Sequence, residues 1–193
     1  MFHGLKSITG KNYVERCVVK AIKKGIGIYA AHTNLDNAQG GVNYRIAEKI
    51  GLSNLSFLET KQFDVPAGAG VIGELSEAEE EVHFLNRLKV MFGIKCVRHN
   101  TLNGRKIRRV ALCGGAGGFL LADAIARGAD AFLTGEMRYH DYFGHDDELL
   151  IAEMGHYESE QYTIDIFAEV LQKHFPELKI EKTSLNTNPI FYL

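Results

Sequence analysis

Apolar positions follow two different periods along this chain, and their alternation predicts an α/β protein. Val14, Cys17, Val18, Ala21 and Ile22 recur at helical spacing, and Gly25 follows as a C-terminal stop. Residues 26–31 then read as a short buried strand. The polar, glycine-ended segment 32–41 is a loop at that strand's carboxyl end, and Val42 to Ile50 resumes helical periodicity up to Gly51. Helix, strand, loop and helix in this order form the repeating element of an open α/β sheet.

The remaining pattern extends the same architecture. Residues 54–73 read as strands joined by a loop around Pro66. Ser76 with Glu79 predicts a capping box ahead of a helix carrying Val82, Leu85, Leu88 and Phe92, closed by Gly93. Asn103-Gly104 predicts a hairpin or tight turn between segments 95–99 and 107–113. Further on, strands are expected at 110–113, 130–134, 149–153 and 178–182. Helices are expected at 119–127 and at 159–175, the latter with Ile164, Phe167, Ala168 and Leu171 on its apolar stripe. The expectation is two α/β lobes, 1–104 and 105–193, with strand-end loops carrying the chemistry.

Composition narrows the class of protein without choosing a function. Apolar residues make up 46% and charged residues 24%, ordinary for a globular chain. A formal charge of −2 argues against a nucleic-acid or membrane-surface partner. The local basic cluster Arg105, Lys106, Arg108 and Arg109 fits a solvated strand edge as well as an anion site. Three cysteines without a C-x-x-C spacing point to reduced thiols and a cytoplasmic location. No apolar run approaches the roughly 20 residues that span a bilayer. Residues 1–6 lack the apolar core of a secretory signal.

Three strand-end loops hold side chains suited to divalent metals, which take carboxylate oxygens and neutral imidazoles. They are His32 to Asp36, Gly135 to Asp141 and Gly155 to Glu160. His156 and Glu160 are four apart at a helix start, so they share one face with about 5–6 Å between β-carbons. That separation suits two ligands on one ion, or a carboxylate bridging a metal pair. Each element also has a structural reading. Glu160 complements a helix dipole, His32 and Asp36 belong to a capped turn, and Glu136, His140, Asp141 and His145 form a solvated loop. Gly115, Gly117 and Gly118 can expose amides to a phosphate. However, Leu120 stands where a dinucleotide fingerprint needs glycine, and no P-loop lysine follows, so close strand–helix packing is the better reading. Cys113 reads as a small buried apolar residue rather than a nucleophile.

Taken together, these segments resemble the Nif-three-like dinuclear metal-centre family, also called GTP cyclohydrolase I type 2-like proteins. The resemblance is carried by His32-Thr33-Asn34-Leu35-Asp36 with Gly40-Gly41-Val42-Asn43, and by Cys113-Gly114-Gly115-Ala116-Gly117-Gly118. It continues through Thr134-Gly135-Glu136 with His140, Gly155-His156-Tyr157 through Glu160, and Thr187-Asn188-Pro189. It implies a paired α/β fold and a toroidal homohexamer acting on a small-molecule substrate. It also implies two divalent ions (iron, zinc, manganese or nickel) held by Asp36, His156 and a bridging Glu160. His32, Glu136 and His140 would line the site as orienting groups or proton carriers.

The family pattern includes an N-terminal His-His pair before a Pro-Leu stretch. Met1 to Lys6 resembles the continuation of that stretch, so an N-terminally truncated start is expected, and His3 does not replace the pair. The short 54–105 region leaves no room for the inserted middle domain of longer members. The activity implied is metal-dependent hydrolysis of a nucleotide or phosphorylated small molecule. The alternative is a non-enzymatic hexameric metal-binding or regulatory scaffold.

Overall fold

A computed structural model describes residues 4–62 and 64–193, so His3 lies outside the described residues. Its strands are β1 (Ser53–Lys61), β2 (Ala67–Glu80), β3 (Arg98–His99), β4 (Lys106–Cys113), β5 (Ala131–Thr134) and β6 (Leu150–Glu153). They form one mixed sheet in the order β1-β2-β4-β5-β6-β3. The central trio β4, β5 and β6 is parallel, and β2, β1 and β3 add antiparallel to its flanks. Strands β1 to β3 come from before residue 104 and β4 to β6 from after it, so a single sheet crosses the midpoint of the chain.

The parallel trio is apolar on both faces because both are covered. Every residue of β5 and β6 is buried. On one face Ala111, Cys113, Phe132 and Ile151 pack with Leu120, Leu121 and Ala124. Leu120 ends a 3-10 turn, Gly118–Leu120, that leads into α5 (Leu121–Ala126). Helices α3 (Val42–Ile50) and α4 (Glu81–Phe92) pack against β2 and β4. A side chain such as Phe132 or Leu88, fully out of water, contributes about 1.5–3 kcal/mol through burial.

Two compact units are distinguished, Met1–Leu35 and Asp36–Leu193, the second holding the sheet. In the first, α1 (Tyr13–Lys23) matches the expected periodicity and stops before Gly25, which takes φ +63°. Its start is a reciprocal cap: Asn12 accepts from the Glu15 N–H at 2.9 Å, and Glu15 accepts from Asn12 Nδ2 at 2.9 Å. Glu15 also accepts from the backbone N–H and the hydroxyl of Thr9 at 2.7 and 2.6 Å. A four-residue helix, α2 (Thr33–Asp36), lies within the segment expected to be a loop.

Several expectations are corrected, each by pairing that local sequence does not encode. Residues 26–31 form no strand, and Ile26, Ile28 and Tyr29 are exposed. Ser76 and Glu79 make no capping box, because β2 runs on to Glu80 and pairs Glu79 with Ile107 and Glu80 with Lys106. Their backbone is already committed to a ladder, and α4 begins directly at Glu81. Buried Glu81 accepts from the Gly104 N–H at 2.7 Å and faces Arg105 Nε at 3.0 Å.

Asn103-Gly104 forms no tight turn and joins no hairpin. β3 pairs with β6, while β4 pairs with β2 and β5. Asn100 makes the junction: Ile151 N–H donates to its Oδ1 at 2.8 Å and its Nδ2 donates to Leu149 O at 3.0 Å. The long helix expected at 159–175 is broken into α6 (His156–Glu160) and α7 (Thr163–His174). Gln161 Nε2 donates to Glu158 O at 3.0 Å and Thr163 Oγ1 to Glu160 O at 2.6 Å. These side chains take carbonyls that a continuous helix would give to its own N–H groups. Residues 178–182 form no strand; Lys182 instead reaches Asp165 of α7 at 2.8 Å.

Candidate metal centre

The parallel strands end level with one another, since Cys113 pairs with Thr134 and Thr134 with Glu153. The loops that follow therefore open on the same edge of the sheet, the edge where open α/β folds bind ligands. These loops are the glycine turn 114–118, Gly135-Glu136, and Gly155 leading into α6.

Buried polar side chains lock the loops together. Thr134 Oγ1 accepts from the Gly117 N–H at 3.0 Å and donates to Gly115 O at 3.3 Å. Ser159 Oγ accepts from the Gly115 N–H at 3.0 Å and donates to His156 O at 2.8 Å. Asn43, at the start of α3, accepts from the Gly114 N–H at 2.8 Å and donates to Asp36 O at 3.0 Å. A buried donor or acceptor left without a partner costs about 1–3 kcal/mol, so these contacts hold the loops in place. The glycine turn is thus a packing device, as its sequence suggested. Gly115 takes φ +64°, and a β-carbon there would overlap Glu160 Oε1 and lie 3.3 Å from His156 Nε2.

His156 sits between two carboxylates. Its Nδ1 lies 2.9 Å from Glu136 Oε1, and its Nε2 lies 3.5 Å from Glu160 Oε2. All three side chains keep partial contact with solvent, Glu160 being the least exposed at 32%. Asp36 acts on the same neighbourhood: burial first, then the Asp36 and Glu160 carboxylates, push the Cys113 thiol up to about 12. Cys113 is therefore a neutral thiol at physiological pH, the small buried residue the sequence suggested.

His140 and His32 are the remaining expected residues. His140 is exposed in a 3-10 turn, Tyr139–Tyr142, with its ring 5.3 Å from Tyr139. None of the contacts described for it reaches His156 or Glu160. His32 belongs to the unit Met1–Leu35, where its backbone N–H donates to Asn34 Oδ1 at 2.9 Å. Ser159, Thr134 and Asn43 were not singled out from sequence. Each lies inside or beside a motif, but a buried hydroxyl or amide leaves no periodic signal.

Two carboxylates and an imidazole nitrogen are the right donors for a borderline divalent ion. Among the described residues, no group of three or more His, Cys, Asp or Glu closes into a cage. The arrangement around His156 gives a reason: Glu136 and Glu160 meet opposite edges of the ring, so both cannot join one ring nitrogen on a single ion. The donors thus fit a metal by type, and the set within the described residues is incomplete.

Beside His156 and Glu160 lies a cleft of about 800 Å³, with residues 183–190 on one side. No helix among the described residues is long and apolar enough to cross a membrane.

Comparisons with known proteins agree with this fold. The family profile Duf34/NIF3 (NGG1p interacting factor 3) matches residues 1–189. A Lactococcus lactis protein named GTP cyclohydrolase 1 type 2 homolog is 32% identical over 99% of this chain and 73% of its own length. A Clostridium perfringens protein of the same name is 30% identical over 83% of this chain, which spans only 62% of that relative. A Bacillus cereus protein related to NIF3 superposes with a TM-score of 0.85 at 22% identity, covering 100% of this chain and 81% of that one. A Staphylococcus aureus protein superposes with a TM-score of 0.86 at 23% identity, covering 100% of this chain and 77% of that one.

Proposed function

From the premise that the chain belongs to the Duf34/NIF3 family, we propose that it is a metal-dependent hydrolase of a nucleotide or phosphorylated small molecule. One observation carries the reading. His156 stands between two carboxylates at the strand-end edge, with Glu136 Oε1 2.9 Å from its Nδ1 and Glu160 Oε2 3.5 Å from its Nε2. The names of the curated relatives support a GTP cyclohydrolase-like reaction. Phosphoester hydrolysis suits the same donors.

In this proposal Asp36, His156 and Glu160 are the residues of this chain that hold divalent metal, with Glu160 shared between two ions. Iron, zinc, manganese and nickel all suit these donors. When bound, such a pair supplies Lewis-acid polarisation of a substrate oxygen and activation of water. The protein's part is orientation. With its carboxylate at Nδ1, Glu136 favours the tautomer that carries the proton there, which leaves the Nε2 lone pair directed toward Glu160. In this proposal Glu136 holds a proton beside the imidazole, and His140 is a further proton carrier. Assembly into a ring of six copies belongs to the same proposal.

The test is metal content by elemental analysis, alongside turnover on a panel of nucleotides and phosphoesters. The native chain is expected to carry metal and to hydrolyse a member of the panel, and Asp36→Ala and Glu160→Ala to lose both. Unchanged metal content in both variants would sink the reading.

The second reading is a non-enzymatic hexameric metal-binding or regulatory scaffold. Bound metal without turnover on any member of the panel selects it.

A further inference from the structure

The cleft beside the candidate ligands has a lining that bears on what enters it. Among the described residues that line it, none is lysine or arginine, and the only carboxylates, Glu136 and Glu160, lie at the end where His156 stands. Away from that end the lining is neutral. Gln161, Thr183, Ser184 and Asn186 offer hydroxyls and amides, while Tyr157, Ile164 and Ile190 offer apolar or aromatic surface. A phosphate deep in this cleft would meet no cation. A flat heteroaromatic ring with polar edges, attached to a sugar, would meet apolar faces and neutral hydrogen-bonding partners. A volume of about 800 Å³ also lies within the usual range for small-molecule sites, about 300–1,000 Å³.

The chain segment that walls the cleft is pinned at one residue. Asn188 Nδ2 donates to Glu158 Oε1 at 3.0 Å, and the Tyr192 hydroxyl donates to the same carboxylate. Gly155 takes φ +101°, and a β-carbon there would overlap Glu158 Oε2 and lie 3.2 Å from the Tyr192 hydroxyl. Glu158 therefore folds back over a position that only glycine leaves open. It sits in α6 between His156 and Glu160, so one short helix carries both the candidate ligands and the pin for the cleft wall.

We propose that this cleft receives the uncharged base-and-ribose half of a nucleoside phosphate, with the phosphates directed out toward Glu136, His156 and Glu160. Glu158 is the positioning residue that holds the 183–190 wall against the bound nucleoside. The direction of the phosphates rests on the metal reading above; recognition of the nucleoside half does not.

The experiment measures binding of guanosine and of adenosine to the full chain by calorimetry, in the presence of chelator. Neither probe carries phosphate and no metal is present, so the outcome is independent of metal content in Asp36→Ala and Glu160→Ala. The native chain is expected to bind at least one nucleoside. Glu158→Ala and Asn188→Ala are expected to weaken that binding tenfold or more while melting within a few degrees of the native chain. Inorganic triphosphate, titrated against the manganese-loaded chain, is expected to bind both variants within twofold of native. If Glu158→Ala does not fold, Asn188→Ala carries the same comparison. Absence of binding to both nucleosides, or equal binding by native and wall variants, overturns the proposal.

Discussion

Glu136 Oε1 lies 2.9 Å from Nδ1 of His156, on the ring edge opposite the one facing Glu160. Carboxylates in this position fix the orientation and tautomer of a ligating histidine, and their loss typically costs 10–100-fold in metal affinity. Glu136→Gln is therefore expected to weaken manganese or zinc binding by about that factor, with little change in melting temperature, since Glu136 is exposed. Metal titration together with nitrogen NMR of the imidazole checks it. Unchanged affinity would make Glu136 a surface partner only.

Gly115 and Gly93 share a φ of +64° but not their surroundings. A β-carbon at Gly115 meets Glu160 and His156, whereas at Gly93 nothing lies within 4 Å. Both alanine variants pay the left-handed backbone penalty of roughly 1–2 kcal/mol. Gly115→Ala alone is expected to displace Glu160 and lose metal. Comparing melting temperature and metal content of the two separates backbone strain from damage to the site.

Thiol reactivity is expected to divide the cysteines. Cys17 and Cys96 are exposed, while Cys113 is buried and its thiol pushed up to about 12. Iodoacetamide at pH 8 should label two thiols quickly and Cys113 only after unfolding, as mass spectrometry of digested protein would reveal. Rapid native-state labelling of Cys113 would contradict its burial.

The Glu15 carboxyl is held down at about 2, first by the Thr9 hydroxyl, then by the Thr9 backbone N–H, with Lys11 and Ser7 adding to the effect. A group depressed on folding stabilises the folded form above its ordinary value of 4.5 and loses that contribution as the pH falls toward 2. Protection of the α1 amides against exchange, relative to the intrinsic rate at each pH, should therefore fall between pH 4.5 and 2 in the native chain. Glu15→Gln should show lower protection at neutral pH and lack that acid-dependent fall.

By itself the sequence determined the elements whose period is strong and whose ends carry glycine. Val42 to Ile50 with Gly51 and the helix ending at Gly93 are of this kind, as are the apolar strands that became β4, β5 and β6. It also placed His156 and Glu160 on one helical face, because a four-residue spacing is a local property. Tertiary structure decided where the backbone of weaker segments finds its partners. Residues 76–80 became strand through pairing with β4, residues 26–31 and 178–182 remained unpaired, and 98–99 joined β6 instead of β4. Tertiary structure also decided that Asp36 and Glu160 act on one sulfur and that Ser159 ties α6 to the glycine turn. Periodicity records which face of an element is buried. Which distant backbone or side chain completes it depends on contacts between residues far apart in the chain, and no local pattern encodes those.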